Sequence, residues 1–403
     1  MKRKLLGIIF AILAVSGSAM AADDAIKVRV DGEYIEFDTD PMIVNDITMV
    51  PLRAVLESTG INVEWNQEEQ KVITSKDDTE VILTIGSDIM NVSGADVQLE
   101  APAFIEEERT MVPLRALTES YNFNVEWREA KRLVSIASVN PGVVQNTVDA
   151  PVKAVSHRGY HVSCPENSLE AYRQSRKMGF TYVEADIRFT KDNIPVLTHE
   201  YLLENVARNA DGSELSRSYN IGNLTYEQLL EYDFGIAYGD EFAGMKITTF
   251  DEFIKLCDEE NLYPYLDMKD NFYETQIDIL INIVKKYDML DRVVWCKYFS
   301  KVLEKLPDAR FGYSCGSLDY SFLDDIANYS AAGTNIIVLS ECDNNGFRDY
   351  YLNDFSQYAP VYGWTVNDKE AARQMCETGK VSGIYTDTIN IAELMQDEWE
   401  INK

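Results

Sequence analysis

The sequence predicts an α/β chain in two parts: a small duplicated α+β domain, then a (β/α)8 barrel. Three observations predict it. A motif repeats in the N-terminal third, apolar runs alternate with helical patterns over about the last 250 residues, and the three histidines, His157, His161 and His199, fall in one short stretch of the 403-residue chain.

The chain begins with Lys2-Arg3-Lys4, an apolar run from Leu5 to Val15, and Ala19-Met20-Ala21. These are the three regions of a secretory signal peptide, so residues 1–21 are read as a leader and the protein as secreted or held at the cell envelope. The apolar run is shorter than the ~20 residues that span a bilayer, and no cysteine follows it to carry a lipid anchor. The formal charge of −30 becomes −33 once three basic residues leave with the leader. Such an acidic chain excludes nucleic acid as a partner, and an anionic substrate would need cations supplied by its own site. Six cysteines lie between Cys164 and Cys376 without a CxxC pair. Core thiols are expected, with disulfide pairing after export left open.

Residues 22–138 form the first domain. Thr48-Met49-Val50-Pro51-Leu52-Arg53 returns as Thr110-Met111-Val112-Pro113-Leu114-Arg115, and Val63-Glu64-Trp65 returns as Val125-Glu126-Trp127, both 62 positions on (113 − 51). Duplication explains a shared offset. Each unit reads as a strand, a turn, a short helix opened by the Val-Pro step, and an alternating strand through the Trp. Over residues 26–137 these motifs resemble the copper amine oxidase N-terminal-like, or stalk, domain. The stretch has no His or Cys, so copper is not implied. Trp65 and Trp127 are expected to pack, and Arg53 and Arg115 to bind their own domain's carboxylates or carbonyls. The domain is read as a spacer or envelope-attachment module. Residues 139–152, punctuated by Asn140-Pro141-Gly142, suit a linker.

Residues 153–403 carry the barrel pattern. Candidate strands lie at 152–156, 180–187, 194–199, 262–268, 293–298, 309–315, 335–340, 360–366 and 383–386, one more than a barrel needs. The first ends in His157-Arg158-Gly159, at the end of a strand where barrel active sites are built. Arg158 offers a planar fork that matches phosphate oxygens. Glu184 and Asp186, two apart in a strand, point the same way, and a hard cation removes the repulsion between them. Lys269 stands two residues after Asp267 and so shares its face, where its charge can neutralise a phosphate. Asn167 with Glu170 suits a capping box for a helix over 168–178 that Gly179 ends. A polar loop from Tyr201 to Asn223 is placed to select substrates. Asp233-Phe234-Gly235 is no kinase signature, because the Gly-rich loop and His-Arg-Asp motif are missing. Trp364, Tyr298 and Phe299 are candidates for an apolar pocket wall, with core packing the alternative.

Taken in order, His157-Arg158-Gly159, Pro165-Glu166-Asn167, Glu184-Ala185-Asp186, Thr190-Lys191-Asp192, His199, Asp267-Met268-Lys269 and Gly363-Trp364-Thr365-Val366-Asn367 resemble the glycerophosphodiester phosphodiesterase family over residues 153–390. The resemblance implies a barrel of phosphodiesterase type and divalent-metal-dependent hydrolysis of glycerophosphodiesters to sn-glycerol 3-phosphate and an alcohol. It implies Glu184, Asp186 and Asp267 as ligands of Ca2+ or Mg2+, His157 as base, His199 as acid, and Arg158, Asn167, Lys269 and Trp364 around the substrate. Asp267 stands where the family usually has Glu, and Glu200 where it more often has Asp. The alternatives are a lyase that releases a cyclic phosphate and a non-catalytic binder of glycerophosphate polymers. A teichoic-acid-like substrate is among the expected partners.

Overall fold

The structure is a computed structural model in which residues 25–297, 299–316, 318–342 and 349–396 are described. The expected leader lies outside these residues, as do Tyr298 and the Phe299 side chain. Among the described residues no helix is long and apolar enough to cross a membrane.

Eight parallel strands form the barrel: β1 (Lys153–Ser156), β2 (Tyr182–Phe189), β3 (Tyr263–Met268), β4 (Val294–Cys296), β5 (Arg310–Ser314), β6 (Asn335–Glu341), β7 (Val361–Trp364) and β8 (Val381–Thr386). Each pairs with the next, and β1 closes the ring by pairing with both β8 and β2. The surplus run resolves as Pro195–Leu197, which folds back antiparallel to β2 with Ile187 opposite Leu197. The reason is covalent reach: the few residues between Phe189 and Pro195 can turn a hairpin, whereas a parallel crossover needs a dozen or more.

Along β2 the alternation is strict. Val183, Ala185 and Ile187 pack with Phe253 and Ile254 of the helix Phe250–Glu259. Glu184 and Asp186, on the other face, turn into the barrel. Below them Tyr182, Tyr265, Tyr362 and Tyr385 join one buried cluster, with the Tyr265 and Tyr385 rings edge-to-face at 5.6 Å. These aromatics make a buried floor beneath the carboxylates.

The segment after His199 is an ordered cover built on Leu203, Ala207, Ile221, Leu229 and Phe234. The Asp233 carboxylate accepts from the backbone N–H groups of Gly235, Ile236 and Gly244, so its work is to shape a turn. All six cysteines are free thiols, five of them buried.

In the N-terminal domain the hairpins over 42–51 and 104–113 merge into one four-stranded sheet. Val50 lies opposite Val112 there, and Met49 opposite Pro113, so each repeat faces its own counterpart across a local two-fold axis. The helices Leu52–Ser58 and Leu114–Glu119 each follow a proline. The first copy extends into a five-stranded sheet from Asn62 to Gln98, while the second pairs with Lys27–Val30, the first strand of the chain. Both tryptophans pack against the core. Arg53 lies 3.9 Å from Glu57, and Arg115 3.2 Å from Glu119 and 3.4 Å from Val125 O.

This domain is bound to the barrel end opposite the mouth, where Asp258, Asn261 and Arg292 precede β3 and β4. Asp258 receives Arg29 at 2.9 Å, Lys131 at 2.9 Å and Arg128 at 3.3 Å. Arg292 reaches Glu126 at 2.5 Å, and Asn261 donates to Asn124 and Ser135. Burial alone would raise the Asp258 carboxyl, but the arginines and Lys131 outweigh it and hold the group below its usual range. Residues 139–152 are also tied down: Asn140 N donates to Lys177 O, and the buried Asn146 side chain bonds Val152 O and Ala154 N.

Candidate active site

β1 delivers the first cluster. Arg158 is held at φ 58° and Gly159 at φ 79°. A Cβ on Gly159 would stand 2.7 Å from Ala171 Cβ, so only glycine lets the turn lie against the following helix. A left-handed arginine costs about 1–3 kcal/mol, and its contacts offset this. Its guanidinium meets Glu166 at 2.9 Å and Asp186 at 3.3 Å, while its own N–H donates to Glu184 Oε2 at 3.0 Å.

The acids converge. Asp186 of β2 is register-paired with Asp267 of β3, and one oxygen from each of Glu184, Asp186 and Asp267 falls within 4.8 Å of the others. Burial over the tyrosine floor, then the charges of Asp186 and Asp267, push Glu184 well above the carboxylate range. Burial would also raise Asp186, yet Lys269 and Arg158 outweigh it and keep that group ionised. Lys269 Nζ sits 2.8 Å from Asp186 and 2.6 Å from Asp267. The structure thus places this lysine on the acids; a phosphate would have to be reached from there.

These residues fit a hard divalent cation. Asp186 Oδ1 and Asp267 Oδ1 are buried without a well-aligned hydrogen bond, although Lys269 and Lys297 stand 2.8 and 3.0 Å away. Three oxygen donors, two of them still to be satisfied, suit Ca2+ or Mg2+ chemistry.

Two histidines each sit one residue from a backbone N–H bonded to this cluster, that of Arg158 on Glu184 and that of Thr198 on Asp186. His157 Nδ1 lies 2.8 Å from Asp387 Oδ1, and Asn367 Nδ2 donates to the other Asp387 oxygen at 2.5 Å. His199 follows the short antiparallel strand: Thr198 N donates to Asp186 O, Arg188 grips His199 O, and Glu200 lies 2.9 Å from His199 Nδ1. His161 bonds Gly159 O and stays 3.9 Å from Asp387, at the rim. Trp364 ends β7, partly buried against the barrel's interior cluster.

Asn167 is not the helix cap. Ser168 takes that place, its Oγ accepting from Ala171 N, and the helix runs Leu169–Lys177. Asn167 instead donates to Asp186 at 2.9 Å and accepts from Tyr172 OH. A capping box spaced from Asn167 to Glu170 fits the letters equally well, and only the left-handed φ of 54° at Asn167 turns its amide toward the acids.

Sequence reasoning passed over Asp387, Lys297 and the partnering of Arg158 by Glu166. Asp387 had a signal, being the polar residue that ends the apolar run 383–386, as His157 ends β1. Lys297 had none.

Residues 29–136 match the model of the copper amine oxidase N-terminal domain, and residues 157–320 that of the glycerophosphoryl diester phosphodiesterase family. A glycerophosphodiester phosphodiesterase of Caldanaerobacter subterraneus is 26% identical over 58% of this chain and 93% of its own. The bovine glycerophosphodiester phosphodiesterase 1 is 32% identical over 38% of this chain, which spans 45% of that relative's length. In fold, an Oleispira antarctica phosphodiesterase solved with the product sn-glycerol-3-phosphate covers 60% of this chain and 96% of its own, with a TM-score of 0.52 and 18% identity. The chain therefore carries, in order, a stretch that matches the copper amine oxidase N-terminal domain and one that matches the glycerophosphoryl diester phosphodiesterase family.

Proposed function

We propose that this protein is an exported phosphoric diester hydrolase that cleaves glycerophosphodiesters to sn-glycerol 3-phosphate and an alcohol with a divalent cation, Ca2+ or Mg2+. The observation that carries the reading is the convergence of Glu184, Asp186 and Asp267 beside the His157–Asp387 pair in a domain of that family.

Glu184, Asp186 and Asp267 would hold the cation, which supplies charge stabilisation at the phosphoryl oxygens. Asp387 orients His157 through Nδ1, leaving Nε2 to exchange a proton with the attacking oxygen. Glu200 does the same for His199, which protonates the leaving alcohol. Arg158, anchored by Glu166, presents its fork to the phosphate, and Trp364 walls the mouth. The buried tyrosine floor lowers the local dielectric and so strengthens each of these electrostatic contacts. Export on the leader over 1–21 and an envelope location for the N-terminal domain belong to the same proposal, as does a teichoic-acid-like substrate.

The test is release of sn-glycerol 3-phosphate from a panel of glycerophosphodiesters in a coupled assay, with and without Ca2+ or Mg2+. Phosphorus NMR of the products separates hydrolysis from cyclisation. A persistent cyclic phosphate, or no turnover on any diester, rejects the reading.

A further inference from the structure

The N-terminal domain holds two grooves, of about 390 and 750 Å3, that are the same groove twice. The smaller is lined by Ile43 and Thr48 of the first repeat with Pro113, Arg115, Val125 and Trp127 of the second. The larger is lined by Ile105 and Thr110 of the second with Pro51, Arg53, Val63 and Trp65 of the first. Every one of these positions has its counterpart at the same offset of 62 (127 − 65). Each groove is therefore assembled across the two-fold, the hairpin tip of one repeat closing over the helix and Trp strand of the other.

Two features resist a purely structural explanation. Ile43 and Ile105 stand on the groove lips 45% and 46% exposed, an apolar side chain kept in water at the same place in both copies. Trp65 donates its indole N–H to Gln67 and Trp127 to Glu129, again equivalent positions, so each ring is pinned at the wall of its groove. The volumes fall in the range of small-ligand sites. Glu126 and Arg128, which alternate with Trp127 on its strand, point to the barrel, and no barrel residue lines either groove.

The charges narrow the ligand. Five carboxylates stand against two guanidiniums in the larger groove and three against two in the smaller. Arg53, Arg109 and Arg115 are already paired with Glu57, Asp38 and Glu119. A polyanion would meet net repulsion. A neutral sugar instead lays its C–H face on the indole and the isoleucine, and bonds its hydroxyls to the carboxylates and guanidinium edges.

We propose that the N-terminal domain binds an uncharged glycan chain through these two quasi-equivalent grooves, so that it holds the hydrolase on a polysaccharide matrix by two-point attachment. Calorimetry of the full chain with chitohexaose and with cellohexaose tests this. At least one should bind with two sites per chain. Ile43→Asp and Ile105→Asp should each remove one site, and the double variant should lose more than 10-fold in retention on the corresponding insoluble chitin or cellulose. Both isoleucines are half exposed, so melting temperature and release of sn-glycerol 3-phosphate should stay unchanged. No binding of either oligosaccharide at millimolar concentration, binding untouched by the double variant, or preference for polyglycerol phosphate or oligolysine would overturn the proposal.

Discussion

Asp258 lies in the last turn of the helix Phe250–Glu259, where the helix dipole disfavours an anion, and its side chain is only 8% exposed. It is tolerable there because Arg29 and Arg128, 4% and 6% exposed, and Lys131 arrive from the N-terminal domain. Asp258→Asn keeps the shape and strands three cations around a neutral amide. Removing one partner of a buried ion pair costs about 3–5 kcal/mol, so that is the expected loss. Urea unfolding followed by near-ultraviolet circular dichroism reads it. Salt supplies an independent check, because buried pairs are poorly screened: raising NaCl from 0.05 to 0.5 M should change the cost of Asp258→Asn by less than about 1 kcal/mol. An apolar exchange, Arg29→Met with Asp258→Leu, should recover part of the loss. A cost below about 1 kcal/mol for Asp258→Asn would mean that the network does not hold the domains together.

Asp387→Asn should lower kcat about 10- to 100-fold with little change in KM, because it disturbs only the orientation of His157; steady-state kinetics decide, and equal loss in both would place Asp387 elsewhere. Glu184→Gln and Asp186→Asn should each weaken binding of added Ca2+ or Mg2+, seen as at least a tenfold rise in the concentration for half-maximal activity, and chelator should abolish wild-type turnover. Glu260 is pushed up to about 7 by burial, then by Asp31, against the pull of Arg176, Arg173 and Lys177. The folded state therefore binds more protons than the unfolded one between about pH 4.5 and 7, so this group's contribution falls as pH rises through that window. Glu260→Gln should add about 1–3 kcal/mol at pH 8 and nothing at pH 4, measured by urea unfolding at both.

Much of this was written locally in the chain. The offset between Pro51 and Pro113 fixed the duplication, and alternation in Val183-Glu184-Ala185-Asp186-Ile187 gave both the inward carboxylates and the outward packing. What escaped was non-local. The pairing of His157 with Asp387 joins the first and last barrel strands, and no spacing rule reports contacts 230 positions apart. The same holds for Asp258 and Arg29, 229 apart. Residues 139–152 look like a free tether by composition, yet Asn146 fastens them through hydrogen bonds that composition does not encode. The misplaced cap at Asn167 was a different failure: Ser168 and Asn167 are both good caps, and the tertiary demand from Asp186 claimed the asparagine.

The meeting of β1 and β8 also sets when the protein becomes competent. Synthesis runs from the first barrel strand onward, so His157 is made early and its orienting partner Asp387 arrives only behind β8, the last strand of the barrel. Any fragment ending before Asp387 carries the acids and both imidazoles but leaves the first ring unaimed.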